Sequence, residues 1–308
     1  MSDSLFAPPL SNSILNAIGN TPLIEIEPGV LAKAEYLNPS GSVKARMAKY
    51  LIERAESEGL LKPGMTIVES TSGNTGNAMS LVAAAKGYKM IVLIPEGYTS
   101  ERTLISKGLG ADVRHIGVFH VNEAKDMAIE MGKQDGFFCP AQFDNEWNVD
   151  ENREWFGPEI LQQIKDQNIT IDAIVQGVGT GGTLIGVAQA LKEHHNPNLK
   201  VFAVEPSESP TLSQGVVDMH KIEGINDGFV PSIYERHRNL VDDVILVNSD
   251  DAIQACKDLT AQKALFVGPS SGANLLAARR IKEEHPEVKT VLTFLCDSGF
   301  KYLSLLYA

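Results

Sequence analysis

The sequence predicts an α/β fold with two doubly wound parallel-sheet domains. Three observations predict it. Strand-like apolar runs alternate with helical runs over most of the 308 residues, these strands lack strict apolar–polar alternation, and glycine-rich turns join strands to helices. Alternating strands and helices are typical of parallel sheets with helices on both faces. Strands without strict alternation are buried on both faces.

In the first half of the chain, runs rich in Ile, Val and Leu predict strands at 65–69, 90–95 and 111–116. Helical runs cover 45–58, 78–86, 101–108 and 121–134. Gly87 ends the second of these helices, as glycine commonly does. Together these elements predict a first α/β unit.

In the second half, strands are predicted at 171–175, 201–204 and 289–295, and helices at 155–166, 183–194, 250–263 and 271–284. The polar stretch 142–153 is typical of a junction between two α/β units. The irregular region 206–233, rich in Ser, Pro and Gly, is long enough to be a functional loop.

The composition, 43% hydrophobic and 21% charged residues, is that of a globular protein. A formal net charge of −12 argues against nucleic acid or an anionic membrane as the main partner. The three cysteines lack metal-ligand spacing, so no metal site is predicted. The start of the chain is acidic, no secretory signal is visible, and the longest apolar runs have strand length. We expect a cytoplasmic protein.

The turn 72–77 lies between a predicted strand and a predicted helix. Such a junction points free backbone N–H groups at an anion. Thr71, Ser72, Asn74 and Thr75 add short polar side chains, a combination that suits a carboxylate, and Asn74 could also donate to a phenolate oxygen. An ordinary helix N-cap is the alternative.

A second glycine-rich turn, 177–183, is suited to a phosphate. Its cradle would be formed by Gly179, Thr180, Gly181, Gly182 and Thr183. No Walker lysine follows, which argues against a nucleotide P-loop.

The same turn also matches a dinucleotide fingerprint. Gly177, Gly179 and Gly182 fit GxGxxG, and Glu205 ends the following strand, where it could bind a ribose. An NAD-dependent dehydrogenase using Gly177–Gly182 is therefore an alternative from another class of enzyme.

Lys44 follows a turn and begins a helical run, where the helix dipole would lower the pKa of its amine, as a Schiff-base lysine requires. Ser270 opens another helix and could meet a heterocyclic nitrogen. Taken singly, a solvated lysine and an N-cap serine are the alternatives. Taken together, an amine, a phosphate cradle, a carboxylate cradle and a neutral partner for a ring nitrogen are what pyridoxal 5'-phosphate needs.

The chain resembles the cysteine synthase family (O-acetylserine sulfhydrylases and cystathionine β-synthases), pyridoxal-phosphate enzymes of fold type II. The matching stretches are 18–23, 38–44, 71–76, 142–143, 157–160, 177–183, 204–206, 224–231, 268–273 and 297–299. They cover nearly the whole chain in family order.

The resemblance implies a role for each matching residue. Lys44 would be the Schiff-base lysine and the base that removes the Cα proton. The substrate carboxylate would be held by Thr71, Ser72, Asn74, Thr75 and Gln142, with Asn74 also touching the phenolic oxygen of the cofactor. The cofactor phosphate would lie on Gly179, Thr180, Gly181, Gly182 and Thr183, and Ser270 would meet the pyridine nitrogen.

The resemblance also implies the reaction and the architecture. O-acetyl-L-serine and sulfide would give L-cysteine through an aminoacrylate intermediate. A smaller mobile domain, 39–147, would close over a larger domain made of 13–38 and 148–308, with the active site between them. A homodimer is implied, and so is binding of the C-terminal tail of a serine acetyltransferase.

The chain departs from the family at positions near the substrate. Gly97-Tyr98-Thr99 stands where the family usually has Thr-Met-Ser, and Asn226-Asp227 stands where sulfhydrylases usually have Gly-Ala. We hypothesise that Asp227 is catalytic and activates water or an amino thiol. The enzyme would then be an L-cysteine β-lyase or β-replacement enzyme that releases hydrogen sulfide. A solvated turn is the alternative at Asp227.

Overall fold

A computed structural model describes residues 13–118 and 121–308. Its strands are β1 (Leu23–Glu27), β2 (Val30–Lys33), β3 (Thr66–Ser70), β4 (Lys89–Glu96), β5 (Asp112–Val118), β6 (Phe137–Phe138), β7 (Ala173–Gly177), β8 (Lys200–Pro206), β9 (Asp243–Val247) and β10 (Val291–Phe294). Its α-helices are α1 (Lys44–Ser57), α2 (Asn74–Lys86), α3 (Ser100–Gly108), α4 (Asn122–Gly132), α5 (Trp147–Glu151), α6 (Gly157–Asp166), α7 (Gly182–His194), α8 (Thr211–Gln214), α9 (Ser232–His237), α10 (Ser249–Lys263), α11 (Pro269–Glu284) and α12 (Leu303–Tyr307).

The strands form two separate sheets. The larger has the order β1-β2-β10-β7-β8-β9 and the smaller has the order β5-β4-β3-β6. All pairings in the smaller sheet are parallel, as are those in the larger sheet except β1 with β2. The predicted fold class is confirmed. The antiparallel edge strand β1 was not predicted, and it arises because only Pro28 and Gly29 separate it from β2.

Helices cover both faces of the larger sheet. Neighbouring residues of β7 point to opposite faces. Val175 packs in one core with Leu259 of α10, and Ile174 packs in another core with Ile160 of α6. Because both faces are buried, the consecutive residues Ala173, Ile174 and Val175 are all apolar, which explains why this strand sequence does not alternate.

The smaller sheet is covered in the same way. Ile67 of β3 packs with Leu51 of α1, whereas the next residue, Val68, packs with Ala124 of α4 on the other face. This sheet is built from residues 66–138. It lies inside the range 39–147, and the boundary of a mobile domain at those positions stays a prediction.

Three strands of the two sheets end beside one cavity. The residues that follow β3, β7 and β10 include Asn74, Gly179 and Cys296, and all three line it. An isolated bridge between Ser42 and Asp297 places the start of α1 next to the end of β10. Ligands in open α/β sheets bind at such carboxyl ends of parallel strands.

Candidate active site

Two adjoining cavities meet at Lys44. The empty space is about 420 Å³ in the first and about 260 Å³ in the second, with the solvent at their openings included. Lys44, Asn74, Gly179 and Thr180 line both. The first is also lined by Gly177, Gly181, Thr183, Ser270 and Cys296, and the second by Thr71, Ser72, Thr75, Gln142 and Asp227. Thus the structure brings the predicted phosphate cradle and the predicted carboxylate cradle together next to Lys44.

The turn after β7 is packed so closely against other parts of the protein that it needs glycines. Gly181 has a φ of +89°, a conformation that favours glycine. A Cβ atom on Gly179 would lie 2.8 Å from the carbonyl oxygen of Gly224. Helix α7 begins at Gly182, so its first N–H groups have no partner inside the helix. Gly182 itself does not line either cavity, because its Cα faces the side chain of Asn148.

The turn after β3 is equally constrained. Gly73 has a φ of +142°, and a Cβ there would lie 2.1 Å from Cδ of Arg102. The hydroxyl of Thr71 accepts a hydrogen bond from the backbone N–H of Gly73 at 2.8 Å. Helix α2 then begins at Asn74. The backbone of this turn is therefore fixed beside the second cavity.

Burial lowers the pKa of Lys44, while the neighbouring Cys296, Asp227, Glu151 and Asp297 oppose this shift. Burial disfavours the ammonium form because a charge loses its hydration. The predicted direction is the one found, but burial is the largest cause and not the helix dipole. A lowered pKa leaves more of the amine unprotonated near neutral pH, and only the unprotonated amine can act as a nucleophile or take up a proton.

Ser270 lies in the first turn of α11 and lines the first cavity, as the phosphate turn does. Its hydroxyl is hydrogen-bonded to the thiol of Cys296. Burial raises the pKa of this thiol to about 12, so Cys296 is a neutral group in the cavity wall. The sequence analysis did not identify Cys296 as part of the site.

Asp227 is 6% exposed and lines the second cavity. Burial raises the pKa of its carboxyl, while a hydrogen bond from Ser72 and the charges of His220, Lys44 and Arg102 oppose that rise. The residue before it, Asn226, has a φ of +52°. Asp227 is therefore a buried wall residue of the cavity and not part of a solvated turn.

Glu205, the acid of the dinucleotide alternative, has a structural role. Its carboxylate accepts hydrogen bonds from the backbone N–H groups of Leu212 at 2.6 Å and Ser213 at 3.0 Å, and from the hydroxyl of Ser213. It thus caps α8 and is fully buried. Both carboxylate oxygens are engaged in these hydrogen bonds, so the dehydrogenase alternative is unsupported.

Among the described residues no group of His, Cys, Asp and Glu side chains is arranged to hold a metal ion. In the same part of the chain no helix is long and apolar enough to cross a membrane.

The cavities fit pyridoxal phosphate. The phosphate turn contributes Gly177, Gly179, Thr180, Gly181 and Thr183 to the wall of the first cavity, and Lys44 offers an amine with a lowered pKa. The side-chain oxygen of Gln176, in the wall of the first cavity, is buried and has no hydrogen-bond partner among the described residues. Such an atom is typical of a site that a polar ligand completes.

Comparisons with known proteins agree with this fit. Cysteine synthase from Staphylococcus aureus is 41% identical over 301 residues, which cover 95% of this chain and 96% of that protein. O-ureido-L-serine synthase from Streptomyces lavendulae is 38% identical over 306 residues, covering 96% and 92%. The crystal structure of a hydrogen sulfide-producing enzyme from Fusobacterium nucleatum superposes with a TM-score of 0.88 at 35% identity, covering 96% of this chain and 100% of that one.

Residues 14–297 match the family described as "Pyridoxal-phosphate dependent enzyme". This match spans both sheets and both cavities. The chain belongs to that family of pyridoxal-phosphate dependent enzymes, within the group that includes the cysteine synthases.

Proposed function

We propose that this protein replaces the β-substituent of an activated L-serine, with O-acetyl-L-serine and sulfide giving L-cysteine. The observation that carries the proposal is the position of Lys44 between two cavities, one lined by the 177–183 turn and the other by the 71–75 turn. The similarity to cysteine synthases supports the same reaction.

Each side of the pair of cavities has a separate task in this proposal. The turn containing Gly179, Thr180, Gly181, Gly182 and Thr183 would hold the cofactor phosphate, and Ser270 would meet the ring nitrogen. Thr71, Ser72, Asn74, Thr75 and Gln142 would hold the substrate carboxylate. Bound pyridoxal phosphate supplies an electron sink conjugated to the substrate Cα. Lys44 would bind the cofactor through its amine and, once released, take the Cα proton.

Reduction with borohydride tests the first part of the proposal. We expect the wild-type holoenzyme to retain the cofactor covalently on the peptide that carries Lys44, as measured by mass spectrometry, and Lys44→Ala to retain none. Lys49→Ala is the matched control, because Lys49 lies on the same helix and its amine binds the carbonyl of Leu15 at 3.1 Å. Label on any other lysine in the wild type would overturn the assignment.

A second candidate reaction is the release of hydrogen sulfide from L-cysteine. The buried Asp227 carboxyl in the wall of the second cavity favours it, as does the similarity to a hydrogen sulfide-producing enzyme. Asp227 would take a proton from the nucleophile, which is either water or an amino thiol. The oxygen of the water or the sulfur of the thiol would form the new bond to Cβ. The C–S bond of cysteine breaks and sulfide leaves with a proton. With water, the products are L-serine and hydrogen sulfide.

Asp227→Asn distinguishes the two reactions. If Asp227 activates the nucleophile, the variant loses sulfide release from L-cysteine and keeps cysteine formation from O-acetyl-L-serine and sulfide. Asp218→Asn, in the exposed part of the same irregular region, is the control. Equal rates of both reactions in Asp227→Asn and in the wild type would exclude a catalytic role for Asp227.

We further propose that residues 39–147 form a mobile domain that closes over residues 13–38 and 148–308, in a cytoplasmic homodimer.

We also propose that the second cavity receives the C-terminal carboxylate of a serine acetyltransferase. A peptide with the sequence of such a tail tests this. It should compete with O-acetyl-L-serine, whereas the same peptide with an amidated C-terminus should not.

A further inference from the structure

A cluster of buried and half-buried polar side chains connects the two sheets next to the cavities. We name it the cleft cluster, and its members are Asn74, Arg102, Asp297, Lys301 and Tyr302. Asn74 lies on α2 and Arg102 lies on α3, two of the helices that cover the smaller sheet. Asp297, Lys301 and Tyr302 come from the chain that follows β10, and are at most 2% exposed. The functional assignments above give these last three residues no role.

Both polar atoms of the Asn74 amide are bound within the cleft cluster. Nδ2 donates a hydrogen bond to Oδ2 of Asp297 at 2.5 Å. Oδ1 accepts one from Nζ of Lys301 at 2.8 Å. An amide group has two N–H donors, so Nδ2 keeps one further hydrogen, and Asn74 lines both cavities.

These two partners fix which way the amide lies. An asparagine can ordinarily rotate to exchange its oxygen and its nitrogen, because the two ends have the same shape. Here the reversed amide would place its N–H₂ group against the amine of Lys301 and its oxygen against the carboxylate of Asp297. A lysine ammonium has no acceptor and a carboxylate has no donor. The reversed orientation therefore loses both hydrogen bonds.

Asp297 is itself held in place by the rest of the cleft cluster. The hydroxyl of Tyr302 donates a hydrogen bond to Oδ2 of Asp297 and accepts one from Nη2 of Arg102. Nη1 of Arg102 also donates to the backbone carbonyl of Ser72 at 2.8 Å. The same cluster therefore holds both the 71–75 turn, through Ser72, and the Asn74 amide.

We propose that Asp297 and Lys301 are positioning residues that fix the Asn74 amide as a hydrogen-bond donor toward the cavities. The ligand atom that Asn74 recognises is then an acceptor, an anionic oxygen of the amino acid or of the cofactor. This inference rests on the proposed function for the nature of that ligand. According to this inference, two residues of the segment after β10 determine that the Asn74 amide, on the smaller sheet's side of the cleft, presents its N–H group to the cavities.

Lys301→Met tests the proposal, because it removes one of the two partners that fix the orientation of the amide. L-Alanine is a suitable probe, since it carries the α-carboxylate and has no β-substituent to lose. We measure the Kd of L-alanine for the holoenzyme and the absorption maximum of the bound cofactor. Burial lowers the pKa of Lys301 to about 7, so the titration is run below that pH.

We expect Lys301→Met to weaken L-alanine binding about tenfold, the size expected for a lost hydrogen bond to a charged or polar group, or to shift the absorption maximum. Lys301→Arg, which restores a donor-only cation, should return the altered quantity toward the wild-type value. If Lys301→Met fails to fold, Asp297→Asn is measured in the same way, because it removes the acceptor-only partner.

Two results would overturn the proposal. In one, Lys301→Met or Asp297→Asn leaves both quantities unchanged while Asn74→Ala alters them. In the other, Lys301→Arg fails to restore what Lys301→Met changes. Failure of the proposed function is distinct, since the wild-type holoenzyme would then not bind L-alanine at all.

Discussion

The hydroxyl of Thr75 donates a hydrogen bond to the side-chain oxygen of Gln142 over 2.6 Å. Nε2 of Gln142 donates to the carbonyl of Ser70 at 2.6 Å, and its backbone N–H donates to Glu69 at 3.1 Å. Gln142 is thus held by β3 and α2 together. One polar hydrogen of Gln142, on Nε2, is not used by these hydrogen bonds. The residue lines the second cavity.

Gln142→Glu is therefore a sharp test of the carboxylate site. The substitution keeps the shape, removes the N–H donors and places an acidic group where the substrate carboxylate would bind. We expect the Kd of the holoenzyme for L-alanine to rise at least about tenfold, with the content of bound cofactor unchanged. Gln162→Glu, on the exposed face of α6, should leave that Kd unaltered.

Gly179→Ala tests the phosphate turn. Its Cβ would lie 2.8 Å from the carbonyl oxygen of Gly224, and this clash must displace one of the two loops. We expect weaker retention of pyridoxal phosphate, measured as cofactor absorbance after gel filtration. Gly108→Ala is the control, since a Cβ there meets nothing within 4 Å and φ is not positive. Equal retention by both variants would contradict the assigned cradle.

Arg46→Met tests the buried ion pairs that anchor the helix of Lys44. The guanidinium lies 2.8 Å from Glu35 and 2.7 Å from Glu159, and it is fully buried. Its loss leaves two carboxylates without this partner, which costs about 3–5 kcal/mol in the free energy of unfolding. Urea denaturation of the holoenzyme measures the change. Arg280→Met, which breaks an exposed pair with Glu284, should cost less than about 0.5 kcal/mol.

Glu151 makes the stability of the protein depend on pH. Burial raises the pKa of this carboxyl from 4.5 to about 8, with the Arg46 charge opposing. Between these two values the folded protein keeps a proton that the unfolded chain has released. Because the folded state then binds more protons, the free energy of unfolding falls as pH rises through this range.

Glu151→Gln should remove this part of the pH dependence. We expect the variant to gain stability relative to the wild type as pH rises from about 5 to about 8, by a total on the order of 4 kcal/mol. Urea midpoints at several pH values measure the gain. A Glu193→Gln variant, changed at an exposed position, should show no such gain, and parallel curves for Glu151→Gln and wild type would refute the interpretation.

Most of the fold could be predicted from local sequence patterns. Six strands, β3, β4, β5, β7, β8 and β10, coincide with predicted ones, because each is an apolar run next to a helical run. Strand β6 has two residues and β2 has four. A two-residue strand such as β6 is set by the neighbour it pairs with and not by its own residues, so the sequence analysis missed it. It also missed β2 and the two edge strands of the larger sheet, β1 and β9.

Local sequence patterns predict some residues of the candidate site and not others. The turns at 71–75 and 179–183 are continuous in sequence, so their residue types could be interpreted directly. Asp297 binds Asn74 across 223 residues of chain, and Lys301 binds it across 227. No local sequence pattern predicts these contacts, because they form only when β10 lies between β2 and β7 in the folded sheet.

The place of β10 in the larger sheet also has a consequence for folding during synthesis. The smaller sheet is complete once residue 138 has left the ribosome, whereas the larger sheet lacks a central strand until Phe294 has done so. Until then β2 and β7 are separated by an open gap with unpaired backbone edges. We expect the first half of the chain to acquire protease resistance while nascent, and the second half to acquire it in one late step. The order of assembly would thus leave the cofactor site to form last.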